Sequence, residues 1–140
     1  MQDTTRVLFL KELKEFLKTS DIKADKVCIV GSSSLAALGI RENRDIDLIC
    51  HSTIRQQVIK ELKQNEICDK IEVVNKNWSY FDDSINDNQI IEDSEKHFLF
   101  CGIKFVSIEL LQHRKLQQNR PKDASDLKKI RKYLDSQCNG

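Results

Sequence analysis

An α+β domain, with a mixed β-sheet flanked by helices and a short helical tail toward the C-terminal end, is the fold class this sequence predicts. Three observations carry that expectation. Apolar residues recur at helical spacing in three separate segments, short runs rich in Val and Ile lie between the first two and after the second, and "HFLFCGIKFVS" reads as two strands folded back on each other at Cys101-Gly102.

Val7, Leu10, Leu13 and Leu17 place one apolar stripe on a first helix. "KVCIVG" then forms a short apolar strand, and "SSSLAALGI" begins a short helix directly after Gly31. "RDIDLIC" alternates as a second strand, Ile54, Val58, Ile59 and Leu62 mark a second amphipathic helix, and "KIEVV" a third strand. The stretch 77–95, "NWSYFDDSINDNQIIEDSE", is polar and acidic without a firm period, so a surface loop that can include a helical turn is expected there. After the hairpin come two helices, the last carrying Leu127, Ile130 and Leu134, with the lone proline, Pro121, as the break between them. A single domain spanning residues 1–140 is expected, with a core at about 20–108 and a helical tail at about 109–140.

The 140 residues are 39% hydrophobic and 32% charged, enough for one core. The formal net charge is only +1, with acids and bases spread along the chain, so no overall field favours a nucleic acid or a membrane. No run approaches the ~18 apolar residues of a membrane span, and the N-terminal apolar run is too short for a secretory signal, so a cytoplasmic protein with no membrane partner is expected. Five cysteines, Cys28, Cys50, Cys68, Cys101 and Cys138, include no C-x-x-C pair and sit mostly in apolar runs, which reads as reduced core residues rather than a disulfide or zinc framework.

The chemical signal lies in "VCIVGSSSLAALGIRENRDIDLIC". A strand ending in Gly31 and opening into Ser32 and Ser33 puts backbone N–H groups at a helix start, where they can meet an anion such as phosphate. Taken alone, the junction is better explained by Ser32 or Ser33 acting only as an N-cap. It is neither a P-loop nor a dinucleotide fingerprint, since G-x-x-x-x-G-K-S/T and G-x-G-x-x-G are absent. On the next strand, Asp45 and Asp47 alternate with Ile46 and Leu48. Strand geometry puts residues two apart on one face, roughly 6.6 Å from each other, so the two carboxylates project together. Such a pair suits two divalent cations about 3.5–4 Å apart, and is also found as plain acids on a solvent-facing edge.

Gly31-Ser32 followed, after twelve intervening residues, by Asp45-Ile46-Asp47 resembles the hG(G/S) … Dh(D/E)h signature of the DNA polymerase β-type nucleotidyltransferases. The resemblance implies a nucleotidyltransferase fold. It further implies Gly31, Ser32 and Ser33 around a nucleoside triphosphate, Asp45 and Asp47 holding Mg²⁺ or Mn²⁺, and Glu72 of "KIEVV" as the third acid, where the superfamily more often has Asp. Asp69, Asp82 and Asp83 are weaker candidates for that third acid. "GIKFVSIELLQHRKLQQNRPKDASDLKKI" is similar to the K…R…KD…D segment of the abortive-infection (AbiEii-like) nucleotidyltransferases. The matching residues are Lys115, Arg120, Lys122, Asp123 and Asp126. From that likeness Lys115, Arg120 and Lys122 are expected to contact the nucleotide, and Asp123 either to orient a basic neighbour or to act in catalysis. Helix-dipole matching, acids at the start of the last helix and Lys128, Lys129, Arg131 and Lys132 further along it, accounts for part of the same pattern.

The function implied is transfer of a nucleoside monophosphate to an acceptor hydroxyl, on a small molecule, a protein or an RNA end, with release of pyrophosphate. The alternative is an inactive member of the superfamily that binds nucleotide or a protein. His51, His97 and His113 show no ligand spacing, and Trp78, Tyr80 and Phe81 are expected to anchor their loop in the core rather than stack on a base. Arg41 and Arg44 flank the acid pair and are expected to balance its charge.

Overall fold

The computed structural model describes residues 3–65, 69–74, 77–78 and 84–138. Its elements run α1 (Leu10–Thr19), β1 (Val27–Val30), α2 (Ser33–Ala37), β2 (Ile46–Cys50), α3 (Arg55–Asn65), β3 (Ile71–Val73), α4 (Asp87–Glu92), β4 (His97–Phe100), β5 (Ile103–Val106), α5 (Ile108–Gln118) and α6 (Ala124–Cys138). The five strands form one mixed sheet in the order β3-β2-β1-β5-β4. β1 is antiparallel to β2 and parallel to β5, β2 is parallel to β3, and β4 is antiparallel to β5. This is the α+β class that the sequence predicts.

Alternation along the strands divides the core into two layers. Val27 and Ile29 of β1, Ile46 and Leu48 of β2, Ile71 of β3 and Phe105 of β5 pack toward α1, whose Leu10, Leu13, Phe16 and Leu17 are all buried. Cys28 and Val30, Ile49 and Val106 face the other way, onto Ile90 and Ile91 of α4, Leu111 of α5 and Ile130 of α6. β1, in the middle and buried at all four positions, needs apolar residues on both faces, which is why "VCIV" does not alternate with polar ones. Apolar side chains buried this fully contribute about 1.5–3 kcal/mol each.

The β4–β5 hairpin closes at Cys101-Gly102, both with positive φ (54° and 78°), and Phe100 pairs with Ile103 across it. Two left-handed residues in a two-residue loop are what a type I′ turn demands. The stretch 77–95 departs from the loop expected of it. Asn86 and Gln89 form a reciprocal capping box that starts α4, and Ile90 and Ile91 are buried behind it. Trp78 is buried as well, with 2% of its surface exposed, its backbone N–H donating to the Asp87 carboxylate at 3.0 Å. Tyr80, Phe81, Asp82 and Asp83 lie outside the described residues, as does Cys68.

Cys28 and Cys50 are buried core thiols, Cys101 is half-buried in its turn, and Cys138 is exposed, contrary to a uniform core reading of the cysteines; all four are free. Burial pushes the Cys50 thiol up to about 12, so it stays protonated and unreactive at neutral pH. No helix among the described residues is long and apolar enough to cross a membrane.

Candidate active site

The C-terminal end of β1 and the start of β2 meet because the two strands are antiparallel, with Val30 opposite Asp47. Gly31, one residue beyond Val30, turns the chain into α2 at φ +77°, a left-handed conformation that glycine adopts without steric cost. A Cβ at Gly31 would lie 3.7 Å from Asp47 Oδ2, so the turn and the carboxylate are neighbours at contact distance.

The serines that follow divide their work. Ser32 stands at the N-cap position without a side-chain capping bond, so the N-cap role is not made by its hydroxyl. Ser33 and Ser34 are buried: Ser33 Oγ donates to the Asp45 carbonyl at 2.9 Å and Ser34 Oγ to the Val106 carbonyl at 2.8 Å. The Ser33 hydroxyl expected at a nucleotide therefore fastens α2 to the residue carrying the first carboxylate. Asn43, buried and overlooked in the sequence, completes that joint, since its Nδ2 donates to the carbonyls of Asp45 and Leu8, each at 3.1 Å, and its Oδ1 accepts from the Leu8 amide at 2.8 Å.

Asp45 sits just ahead of β2 rather than within it, and is exposed; Asp47, the second residue of the strand, is half-buried. Glu72 is the register partner of Asp47 across the parallel β2–β3 pair. Its neighbours Ile71 and Val73 pack into the α1 layer with Ile46 and Leu48, which leaves Glu72 on the Asp47 side of the sheet. Burial pushes the Asp47 carboxyl above its ordinary value; the charges of Asp45 and then Glu72 add to this, and that of Arg114 opposes it.

Among the described residues no three His, Cys, Asp or Glu side chains are gathered closely enough to hold a metal ion by themselves. The donor chemistry nevertheless fits magnesium or manganese. Asp45 and Asp47 offer hard carboxylate oxygens under mutual repulsion, and Mg²⁺ is ordinarily held by one or two carboxylates together with water and substrate phosphates rather than by an all-protein cage.

A cleft of about 630 Å³ opens in front of these residues. Gly31, Ser32, Ser33, Asp45 and Asp47 form one wall, and α5 with the start of α6 forms the other. Glu72 is exposed and does not line it; Asp69, also exposed, does not either. On α5 the lining residues Leu111, Arg114, Lys115 and Gln118 follow i, i+3, i+4, i+7, one helical face. Arg114 was missed by sequence reasoning although that spacing contains it. Seven cationic side chains line the cleft (Arg41, Arg44, Arg114, Lys115, Arg120, Lys122 and Lys129) against four carboxylates, an excess of +3 in a chain whose total is +1.

The α5–α6 wall is organised by a buried ion network. Lys115, 5% exposed, lies 3.1 Å from both Asp123 Oδ1 and Asp126 Oδ2. Arg120 forks onto Asp123 at 2.8 and 3.1 Å, and Arg41 onto Asp126 at 2.6 and 2.9 Å. Arg41 thus balances Asp126, 85 residues away, and not the acid pair it flanks in sequence. Burial alone would raise the Asp123 carboxyl, but hydrogen bonds from Arg120 and Lys115, and the charges of both, outweigh it and hold the group at about 2. Asp126 is lowered in the same way, against burial, by Arg41 and Lys115. Of the two roles expected for Asp123, orientation of basic side chains is the one its bonds perform. Lys122 lines the cleft from the 3₁₀ turn Pro121–Asp123 and is exposed.

The histidines hold local structure: His51 Nδ1 lies 2.8 Å from Thr53 Oγ1, and His97 Nδ1 lies 2.7 Å from the Ile90 carbonyl. No protein-family model matches this chain, and no curated protein and no solved structure is significantly similar to it.

Proposed function

We propose that this protein is a metal-dependent nucleotidyltransferase of the DNA polymerase β type, most like its AbiEii-like branch, moving a nucleoside monophosphate from a nucleoside triphosphate to an acceptor hydroxyl. One observation carries the reading: a glycine turn lies against the Asp47 carboxylate, and both line, with Asp45, one wall of a cleft whose lining is otherwise rich in cations. Polyphosphate chemistry needs both, cations to gather the substrate and carboxylates to hold its metal.

In this scheme the Gly31-Ser32 turn admits phosphate oxygens close to the backbone, with the cationic wall drawing the triphosphate in. Asp45 and Asp47, with Glu72 beside Asp47, would hold Mg²⁺ or Mn²⁺, which when bound neutralises phosphate oxygens and lowers the pKa of the acceptor hydroxyl. The acceptor oxygen bonds to the α-phosphorus while the bond from that phosphorus to the bridging oxygen of the β-phosphate breaks. Pyrophosphate leaves with that oxygen, and the hydroxyl proton is taken up at the acid pair and released to water. Positioning and charge neutralisation supply the rate, so no cysteine or histidine nucleophile is required. The acceptor hydroxyl belongs to a small molecule, a protein or an RNA end. A reducing cytoplasm is the compartment that suits the cysteines, free at all four of the described positions.

A second reading, a nucleotide-binding protein without transfer, is favoured by the exposure of Glu72 outside the cleft. One experiment separates the two. The protein is incubated with Mg²⁺, each α-labelled triphosphate and a cell extract, and labelled acceptors and pyrophosphate are measured beside Asp45→Asn. Label transfer that Asp45→Asn abolishes is the expected result; nucleotide binding without label transfer or pyrophosphate release leaves the second reading.

A further inference from the structure

The sheet has two edges, and they are guarded differently. β3 at one end is three residues long, with Lys70 just ahead of it and Glu72 exposed on it, charges of the kind that discourage a strand from pairing with another molecule. β4 at the other end, "HFLF", is as long as β1 and β5, carries no Asp, Glu, Lys, Arg or Pro, and keeps an unbroken register with β5. Leu99, within it, is 60% exposed. The lysine opposite Leu99 in that register, Lys104, is engaged elsewhere, its ammonium donating to the Asp25 and Ile91 carbonyls at 2.8 and 2.7 Å.

The hairpin fixes which backbone groups of β4 look outward. Phe100 and Ile103 close a two-residue turn as a hydrogen-bonded pair, and bonded pairs alternate along an antiparallel ladder, so the N–H and C=O of Leu99 and of His97 point away from β5. The Lys96 carbonyl, one residue earlier, points back and accepts from the Ser107 amide at 3.0 Å, in step with that alternation. Beside this edge lies a groove of about 430 Å³, lined by Phe98, Leu99, Phe100, Ala37 and Leu38 together with one acid and one base, Asp3 and Arg6.

We propose that β4 is a self-association edge, onto which the β4 of a second copy of this chain adds antiparallel across a two-fold axis, joining two sheets into one. The occupant follows from the order of the outward groups. With Phe98 opposite Phe98 on the axis, His97 of each copy stands opposite Leu99 of the other, and every outward N–H and C=O of both strands finds a partner. The side chains agree: Leu99 is covered, and the Phe98 rings, each stacked on Phe105 of its own sheet at 5.6 Å, meet across a close pair. Charge agrees as well. The groove is balanced between Asp3 and Arg6, and Lys96 just ahead of the strand is already paired with Asp93 at 2.7 Å, so self-pairing sets no excess of one sign against itself there. The cleft draws its lining from residues 30–47 and 111–129, and pairing at β4 is independent of its chemistry.

The test is sedimentation equilibrium of the full chain from about 1 μM to 1 mM, a range that brackets weak and moderate dimers, under reductant so that the exposed Cys138 cannot link copies. The parent is expected to pass from monomer to dimer and stop there, because a two-fold pairing consumes the edge. Leu99→Lys places a charge on the strand and is expected to weaken association by about tenfold or more. Leu116→Lys, at a residue equally exposed (59%) but on α5, is expected to associate as the parent does. Hydrogen exchange reads the edge without any substitution: the Leu99 and His97 amides are expected to slow as concentration rises through the dimer midpoint, while the Phe98 amide, already bonded to β5, keeps its rate. A parent that stays monomeric throughout, association that Leu99→Lys leaves intact, or Leu99 and His97 amides whose exchange ignores concentration overturns the proposal. Growth beyond the dimer overturns the two-fold.

Discussion

On the α5–α6 wall of the cleft, each carboxylate meets two cations: Asp123 joins Lys115 and Arg120, and Asp126 joins Lys115 and Arg41, all within 3.1 Å. On the sheet wall stand Asp45 and Asp47, with Glu72 beside Asp47 on the sheet but outside the cleft; burial raises the Asp47 carboxyl, the charges of Asp45 and Glu72 add to this, and that of Arg114 opposes it. The first wall lowers the free energy of its own charges; the second keeps like charges together at a cost. Charge that is compensated internally serves architecture, whereas charge that stays uncompensated at the mouth of a cleft is available to something that binds there. The two walls therefore predict opposite responses to the same substitution of a carboxylate.

The largest contrast is expected at Asp47. On the transfer reading proposed above, Asp47→Asn should lower nucleotidyl transfer by about a thousandfold or more, since it would remove one of the two carboxylate charges proposed to hold the metal. Its thermal midpoint should equal or exceed the parent's, because the carboxyl is raised in the folded state and its charge is a burden there. A midpoint several degrees below the parent's would place Asp47 with the architectural wall.

Asp123→Ala should behave in reverse on stability, costing about 3–5 kcal/mol in denaturant unfolding by leaving Lys115 buried with half its compensation and Arg120 without its fork. An unchanged midpoint would mean that the network is ornamental. The same network dictates an acid limb. Because the folded Asp123 carboxyl stands at about 2, below its ordinary 3.8, the unfolded chain takes up the proton first as pH falls. The stability it contributes is complete above about pH 4 and is lost as pH drops toward 2, about 2 kcal/mol in all, with Asp126 acting in the same direction. Unfolding curves between pH 5 and 2 should show that loss in the parent and a flatter limb in Asp123→Asn.

The smallest effect sharpens the comparison where the walls are anchored. Ser33→Ala removes the hydroxyl bonded to the Asp45 carbonyl and should cost about 1 kcal/mol of stability, with transfer lowered severalfold and triphosphate affinity retained. A large loss of affinity would instead restore to Ser33 the direct nucleotide contact expected from the sequence.

Much of the sheet wall is legible in the sequence, because its features repeat at local periods. The alternation Ile46-Asp47-Leu48 fixes which side chains face the core, and Gly31 after an apolar strand marks a turn. α4 was legible too, but its sign was the capping box Asn86-x-x-Gln89 ahead of Ile90-Ile91, which the surrounding acidic residues obscured. Arg114 could have been found from the 111-114-115-118 face of α5. Arg41 could not: nothing near it in sequence points to Asp126.

What the amino-acid order determined by itself is what short-range sterics and periodicity control: the type I′ turn at Cys101-Gly102, the doubly apolar β1, the side of β2 that carries Asp47 and the amphipathic α1. What only the tertiary structure decided is the partner of each charge. A near-neutral chain became a cleft with an excess of +3 because folding brought seven cations from the α2–β2 loop, α5 and the α6 segment to one opening. Coulombic pairing depends on distance through space and on how far water is excluded, and neither quantity is written in the separation of residues along the chain.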